Sequence, residues 1–307
     1  MTKGSVSELS EKIRKLAKEK NAIILAHNYQ VPEVQDVADL TGDSLALSIQ
    51  ASKTDADIIV FCGVHFMAEA ASIVCPDKKV IIPVLDAGCA MADMLTAQQL
   101  RQFKEEHPGV PVVTYVNSSA EVKAESDICC TSANAIQVVK WTGAKEVIMT
   151  PDRNLAAWVQ RHTEQKVHAW NGYCPIHDEL STELLKKAMQ EHPDAVVMAH
   201  PECTAKVLEL AHVVRSTSGM LKYAKESSEQ EFIVATETGL LHPLRKQNPD
   251  KSFYPAWDDM ICQDMKKTGL KDVLIALEKE EPVVKVPEEV RVKAFKAVER
   301  MMQVPRD

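Results

Sequence analysis

Short apolar runs rich in β-branched residues recur along the chain, with amphipathic segments between them. Ala22–Ala26, Ile58–Phe61, Val80–Ile82, Val112–Val116, Glu146–Met149, Ala195–Ala199 and Phe232–Ala235 read as strands. Apolar positions at helical spacing predict helices over Glu8–Lys18, Ala97–Glu106, Thr182–Glu191 and Pro287–Gln303. The strand runs are continuous rather than alternating, as expected for parallel strands covered on both faces. The predicted class is α/β.

The pattern repeats. Residues 106–117 (EHPGVPVVTYVN) resemble residues 191–202 (EHPDAVVMAHPE), and one offset of 85 relates His107 to His192, Tyr115 to His200, Ser132 to Thr217 and Cys89 to Cys174. A third copy begins at Ile23–Tyr29 (IILAHNY). In each copy 17 positions separate the first polar residue from a Ser or Thr: His27 to Ser44, Tyr115 to Ser132, His200 to Thr217. A further 19 positions reach Gly63, Pro151 and Thr236, and Cys89, Cys174 and Cys262 follow after 26, 23 and 26. Fixed internal periods mean related structural units. The expected architecture is three similar αβα units with parallel sheets around a pseudo-threefold axis. They span residues 1–96, 97–181 and 182–307, the third with C-terminal helices that return to the first. No Gly/Ser- or Pro-rich linker separates them, so one compact body is expected. Ligands in such sheets bind beyond the carboxyl ends of the strands, here facing the shared centre.

Composition narrows the function. The chain has 307 residues, 45% of them hydrophobic, which is enough for a sizeable core and excludes a disordered chain. A net charge of −8 without a basic run argues against nucleic acid as a partner. No apolar stretch is long enough to span a membrane, and the charged, periodic N-terminus lacks a signal-peptide core. A cytoplasmic protein is expected.

Three columns of residues carry candidate chemistry. His27, Tyr115 and His200, with Tyr29, Asn117 and Glu202 beside them, supply proton donors, acceptors and a base. Ser44, Ser132 and Thr217 each begin a helical pattern, where Ser and Thr are favoured as N-caps. A helix N-terminus also presents free N–H groups to an anion. The third column is Cys89, Cys174 and Cys262. There is no C-x-x-C among the eight cysteines, so any thiolate site must be gathered from distant positions. Three thiolates near one axis suit an iron–sulfur cluster or zinc. A cubane with only three cysteines leaves one iron open to substrate as a Lewis acid. Cys62, Cys75, Cys129, Cys130 and Cys203 fall outside the column and read as non-ligands. Two alternatives share these parts: a zinc-dependent aldolase or lyase acting on a phosphorylated substrate, and a non-enzymatic iron–sulfur protein.

The ordered set Ala26–Gln30 (AHNYQ), Thr41–Ser44 (TGDS), Tyr115–Ser118 (YVNS), Cys130–Asn134 (CTSAN), Pro151–Asn154 (PDRN), His200–Cys203 (HPEC), Ser216–Thr217 and Thr236–Gly239 (TETG) resembles the quinolinate synthase family across about residues 20–280. The resemblance implies one [4Fe–4S] cluster per chain on Cys89, Cys174 and Cys262. It implies a transferase that condenses iminoaspartate with dihydroxyacetone phosphate to quinolinate, phosphate and water in NAD biosynthesis. It places substrate contacts on His27, Ser44, Tyr115, Asn117, Ser132, His200, Glu202 and Thr217. From their chemistry, Tyr29, His200 and Glu202 are the candidates for proton transfer. The imine would arrive either free or through a functional link to an L-aspartate oxidase or dehydrogenase, and the sequence leaves both open. Neither nucleic acid nor a membrane is an expected partner.

Overall fold

The computed structural model describes residues 3–306. Among these residues, twelve strands form three separate four-stranded sheets, parallel throughout. The first sheet contains β1 (Ala22–His27), β2 (Leu40–Gly42), β3 (Ile58–Cys62) and β4 (Lys79–Ile81). The second contains β5 (Val112–Tyr115), β6 (Ile128–Cys130), β7 (Glu146–Thr150) and β8 (Lys166–Ala169). The third contains β9 (Val196–Ala199), β10 (Val213–Val214), β11 (Glu231–Ala235) and β12 (Ser252–Pro255). Each sheet has the same order: second strand, first, third, fourth. The α/β class and the three similar units predicted from the repeat are therefore present, and each of the seven strand runs named above falls on a strand, with only Ile82, Val116 and Ala195 one residue outside.

The inner strands are the apolar ones. β3 is buried along its whole length, because helices cover both faces of its sheet. Its neighbour β1 pairs with it in the register Ile23↔Ile59 and Leu25↔Phe61. Burying each such Ile, Leu or Phe side chain contributes roughly 1.5–3 kcal/mol, before the opposing chain entropy. One apolar cluster runs continuously from the first sheet through the second to Val298 and Met301 near the C-terminus, so the first two units share a core. The third sheet has its own clusters on its two faces.

Local signals start the helices. Thr96 and Gln99 form a capping box ahead of Ala97–Glu106, and Ser181 accepts from Leu184 N–H ahead of Thr182–Glu191. At two column positions the cap is one residue earlier than expected. Asp43 caps the helix Ser44–Lys53 and Ser216 caps the helix Thr217–Glu226, so Ser44 and Thr217 are the first helical residues. Ser132 lies in a turn before the helix Ala135–Trp141, whose N-cap position is Asn134. The column hydroxyls are consequently not consumed by capping.

Two C-terminal elements lie back on the earlier units. The helix Leu270–Lys279 packs on the helix Lys3–Glu19 and on β3, within the first unit. The helix Glu288–Gln303 lies mainly on the second unit, against β6 and the helix Ala120–Ala124, and also touches the helix His65–Val74 of the first. It therefore spans the two units, where a return to the first alone was expected. Asn134 Nδ2 fixes it there by donating to Met301 O (3.2 Å) and Val304 O (3.4 Å).

Candidate active site

The topology brings the three columns to one place. His27 ends β1, Tyr115 ends β5 and His200 follows β9, the corresponding inner strands of the three sheets. Ser44, Ser132 and Thr217 come after the short edge strands β2, β6 and β10, and the three cysteines after the opposite edges β4, β8 and β12. All twelve candidate residues line a single cavity of about 240 Å³. No lysine or arginine is among its lining residues.

The same local bond recurs in the first and third units. His27 Nδ1 accepts from Tyr29 N–H at 3.2 Å, and His200 Nδ1 accepts from Glu202 N–H at 3.4 Å. Each neutral imidazole then carries its proton on Nε2, an assignment that follows from those bonds. His200 Nε2 donates to Ser132 Oγ at 3.1 Å. Burial, followed by the charge of His200, pulls His27 from the ordinary histidine value to about 3. Burial also lowers His200, against the opposing pull of Glu202. Asn28 Nδ2 donates to Thr217 Oγ1 at 3.0 Å and joins the first unit to the third.

A proton relay runs along one wall. Glu202 Oε2 lies 2.7 Å from His177 Nδ1. His177 Nε2 lies 2.8 Å from Thr236 Oγ1, which is 2.6 Å from the Tyr29 hydroxyl. Burial works to raise the Glu202 carboxyl, but His200 and His177 outweigh it and hold the group well below the usual carboxylate range. Glu202 is 3.5 Å from His200 Nδ1 against 2.7 Å from His177 Nδ1, so the shared proton belongs on the His177 contact. Tyr29 moves the other way: burial and then the Glu202 charge raise it well above the ordinary phenol, while its bond to Thr236 opposes them. A proton donor and an ionised base thus face each other through two intermediates.

His177 and Thr236 were not among the candidate site residues. Two signals were available: Thr236 occupies the position 19 after Thr217, and His177 falls three residues after Cys174. Glu237 and Lys266 are a second addition. Their ion pair, at 2.7 Å, joins two segments of the site. Glu237 Oε1 accepts from Cys262 N–H at 3.1 Å and Oε2 from Gly239 N–H at 2.7 Å, while Lys266 Nζ donates to Tyr29 O. Gly239 is required by this packing, since a Cβ there would lie 2.7 Å from Tyr29 O and 2.8 Å from Lys266 Nζ.

Burial pushes the three cavity thiols up: Cys89 to about 12, Cys174 well beyond its ordinary value and Cys262 in the same direction. With no cation in the cavity wall, what suits these cysteines as thiolates is a positively charged soft metal centre. Neighbouring thiols add to the effect, Cys262 on Cys89 and Cys89 on Cys174, which puts the three sulfurs in one field. The donor set therefore fits a thiolate-bound metal centre. Cys174, His177 and Glu202 also place donor atoms within 4.8 Å of one another. His177 is bonded to Glu202 through Nδ1 and to Thr236 through Nε2, which suits proton transfer better than ligation.

Three units that turn their strand ends onto one buried cavity of thiols, imidazoles and hydroxyls define an enzyme acting on small molecules. A profile for the quinolinate synthetase A protein family matches residues 11–303. The quinolinate synthase of Geobacter sp. (strain M21) is 57% identical over 299 residues, covering 97% of this chain and 98% of that protein. Those of Thermodesulfovibrio yellowstonii and Methanosarcina barkeri are 53% and 52% identical over 298 residues, each covering 97% of this chain and 98% of the relative. The chain belongs to the quinolinate synthase family. No helix among the described residues is long and apolar enough to cross a membrane.

Proposed function

We propose that this enzyme condenses iminoaspartate with dihydroxyacetone phosphate, giving quinolinate, phosphate and water for NAD biosynthesis, with one [4Fe–4S] cluster held by Cys89, Cys174 and Cys262. The observation that carries this reading is that three free cysteines, one per unit, open on the same cavity as the Tyr29–Thr236–His177–Glu202 relay. When bound, a cubane with three protein ligands supplies Lewis acidity at its open iron.

The chain's own residues do the rest. Asn117 and the hydroxyls of Ser44, Ser132 and Thr217 hold the carboxylates, helped by the free N–H groups where the helices Ser44–Lys53 and Thr217–Glu226 begin. Neutral His27 offers an Nε2–H donor, and Tyr115 a buried hydroxyl. The Tyr29 oxygen takes a proton from substrate as its own leaves for Thr236 Oγ1. Thr236 passes a proton to His177 Nε2, and the Nδ1 proton moves to Glu202. Run in reverse, the relay returns a proton to a departing hydroxyl, so one device serves isomerisation and dehydration. Phe66, Met67 and Met91 add apolar surface to the cavity wall beside these polar groups.

One observation favours a second reading. The Cys174–His177–Glu202 set could hold a single zinc, and the chain would then be a lyase on a phosphorylated substrate. Iron, zinc and acid-labile sulfide analysis of anaerobically purified protein separates the two. About four irons and four sulfides per chain support the cubane. One zinc without sulfide sinks it.

A further inference from the structure

Lys123 is a charged side chain with no exposure, in the five-residue helix Ala120–Ala124 and outside the cavity. Its ammonium donates to Ser118 O and sits 5.5 Å from the centroid of Phe66. Phe66 lines the cavity, and Glu69, one helical turn further on, takes Ala120 N–H on Oε2 at 3.0 Å. Burial pulls the Lys123 ammonium towards deprotonation, and Glu69 is the main charge that opposes it. Glu69 belongs to the first unit and Lys123 to the second, so the attraction crosses their interface.

The segment held between them carries two proposed substrate contacts. Ser118 is fully buried; its Oγ donates to Tyr115 O at 3.0 Å and its N–H to Val116 O at 2.8 Å. Tyr115, Val116, Asn117 and Ser118 therefore form one tight turn whose last carbonyl is fixed by Lys123. An uncharged side chain such as Met could fill the same space without the cost of burying an ammonium, and exchanges of that kind are often neutral for stability. Filling space does not account for the charge, whereas fixing the Ser118 carbonyl does.

We propose that Lys123 and Glu69 are positioning residues that set, across the interface between two units, how Asn117 meets the dicarboxylate substrate. This rests on the reading of Asn117 as a carboxylate contact. The variant to make is the Glu69→Gln/Lys123→Met pair, which removes both charges together and leaves neither buried alone. It should fold, keep its iron and sulfide, raise KM for the imine about tenfold and leave kcat within about twofold. Its affinity for L-malate, a stable dicarboxylate probe followed by calorimetry, should fall by a similar factor. In an Asn117→Ala background the same pair should change KM and malate affinity by less than about twofold, since residues acting through one contact are not additive. Glu69→Gln alone, which retains an acceptor for Ala120 N–H, gives a smaller change in the same direction. A folded double variant with unaltered KM and malate affinity overturns the proposal, as does a full tenfold effect that persists in the Asn117→Ala background. Wild-type protein that makes no quinolinate would instead fail the functional reading, and the malate titration would still decide the positioning.

Discussion

Replacing Thr236 with valine keeps its shape and removes the hydroxyl in the middle of the relay. Thr236 is 1% exposed, and its Oγ1 joins Tyr29 at 2.6 Å to His177 at 2.8 Å. Two buried polar groups lose a partner, each at about 1–3 kcal/mol if nothing replaces it. Both also face the cavity, where water can partly compensate. A net loss of about 2 kcal/mol is expected, which lowers Tm by about 3 °C in a chain of 307 residues. The kinetic effect should be larger. General acid–base transfer is worth about 10²–10⁴ in rate, or roughly 3–5 kcal/mol of barrier. Thr236→Val should therefore cut kcat about 10²–10³-fold with KM changed by less than about threefold. Thr236→Ser, which keeps the hydroxyl, should stay within about fivefold. Tyr29→Phe should match Thr236→Val, and the two together should be no worse than either, because they break one chain of bonds. The assay is anaerobic quinolinate formation, with iron and sulfide measured on the same samples. A Thr236→Val protein with normal iron, normal sulfide and more than half of wild-type kcat would refute the relay.

Three other outcomes follow from the same geometry. Alanine at Cys89, Cys174 or Cys262 should each abolish iron and sulfide retention, whereas Cys129→Ala should not; metal analysis after anaerobic purification tests both. His27 is held at about 3 in the folded protein against 6.5 in the unfolded chain. Below pH 6.5 the unfolded chain takes up a proton that the folded one refuses. Stability is then full above about 6.5 and falls with acid by about 1.4 kcal/mol per unit until about pH 3. His27→Gln should lose about 2 kcal/mol less than wild type between pH 6.5 and 5, read by anaerobic denaturant titration. Asn134→Ala removes two bonds to the C-terminal segment and should cost about 1–2 kcal/mol, with local protection of residues 298–304 reduced in hydrogen exchange.

The parts of the fold that could be read from the chain are those with long, one-sided chemistry. β1, β3, β7 and β11 are runs of five or six mostly apolar residues, and inner strands of parallel sheets must look that way. The edge strands β2, β6, β8, β10 and β12 were not legible. They have two to four residues, and Leu40–Gly42 or Lys166–Ala169 are half-exposed and end in polar or small residues. No periodicity can show in so few positions. Spacing located the cavity because one repeat places equivalent residues at equivalent strand ends. It could not locate interactions that belong to one copy alone. His177 has no counterpart in the other columns and finds Thr236 only through the crossing of two units. Lys123 sits in Ala120–Ala124 (AEVKA), which reads as a solvated helix face until the helix Glu288–Gln303 covers it. The caps one residue ahead of Ser44 and Thr217 show the same limit, since a Ser or Thr beside another capping residue leaves the boundary open to either.

The most direct test supplies anaerobic, iron-loaded protein with ¹³C-labelled dihydroxyacetone phosphate and an enzymatic source of iminoaspartate, and follows the products by mass spectrometry. Quinolinate carrying three labelled carbons, with phosphate released in equal amount, is the predicted result. Phosphate release or triose cleavage without labelled quinolinate would contradict it.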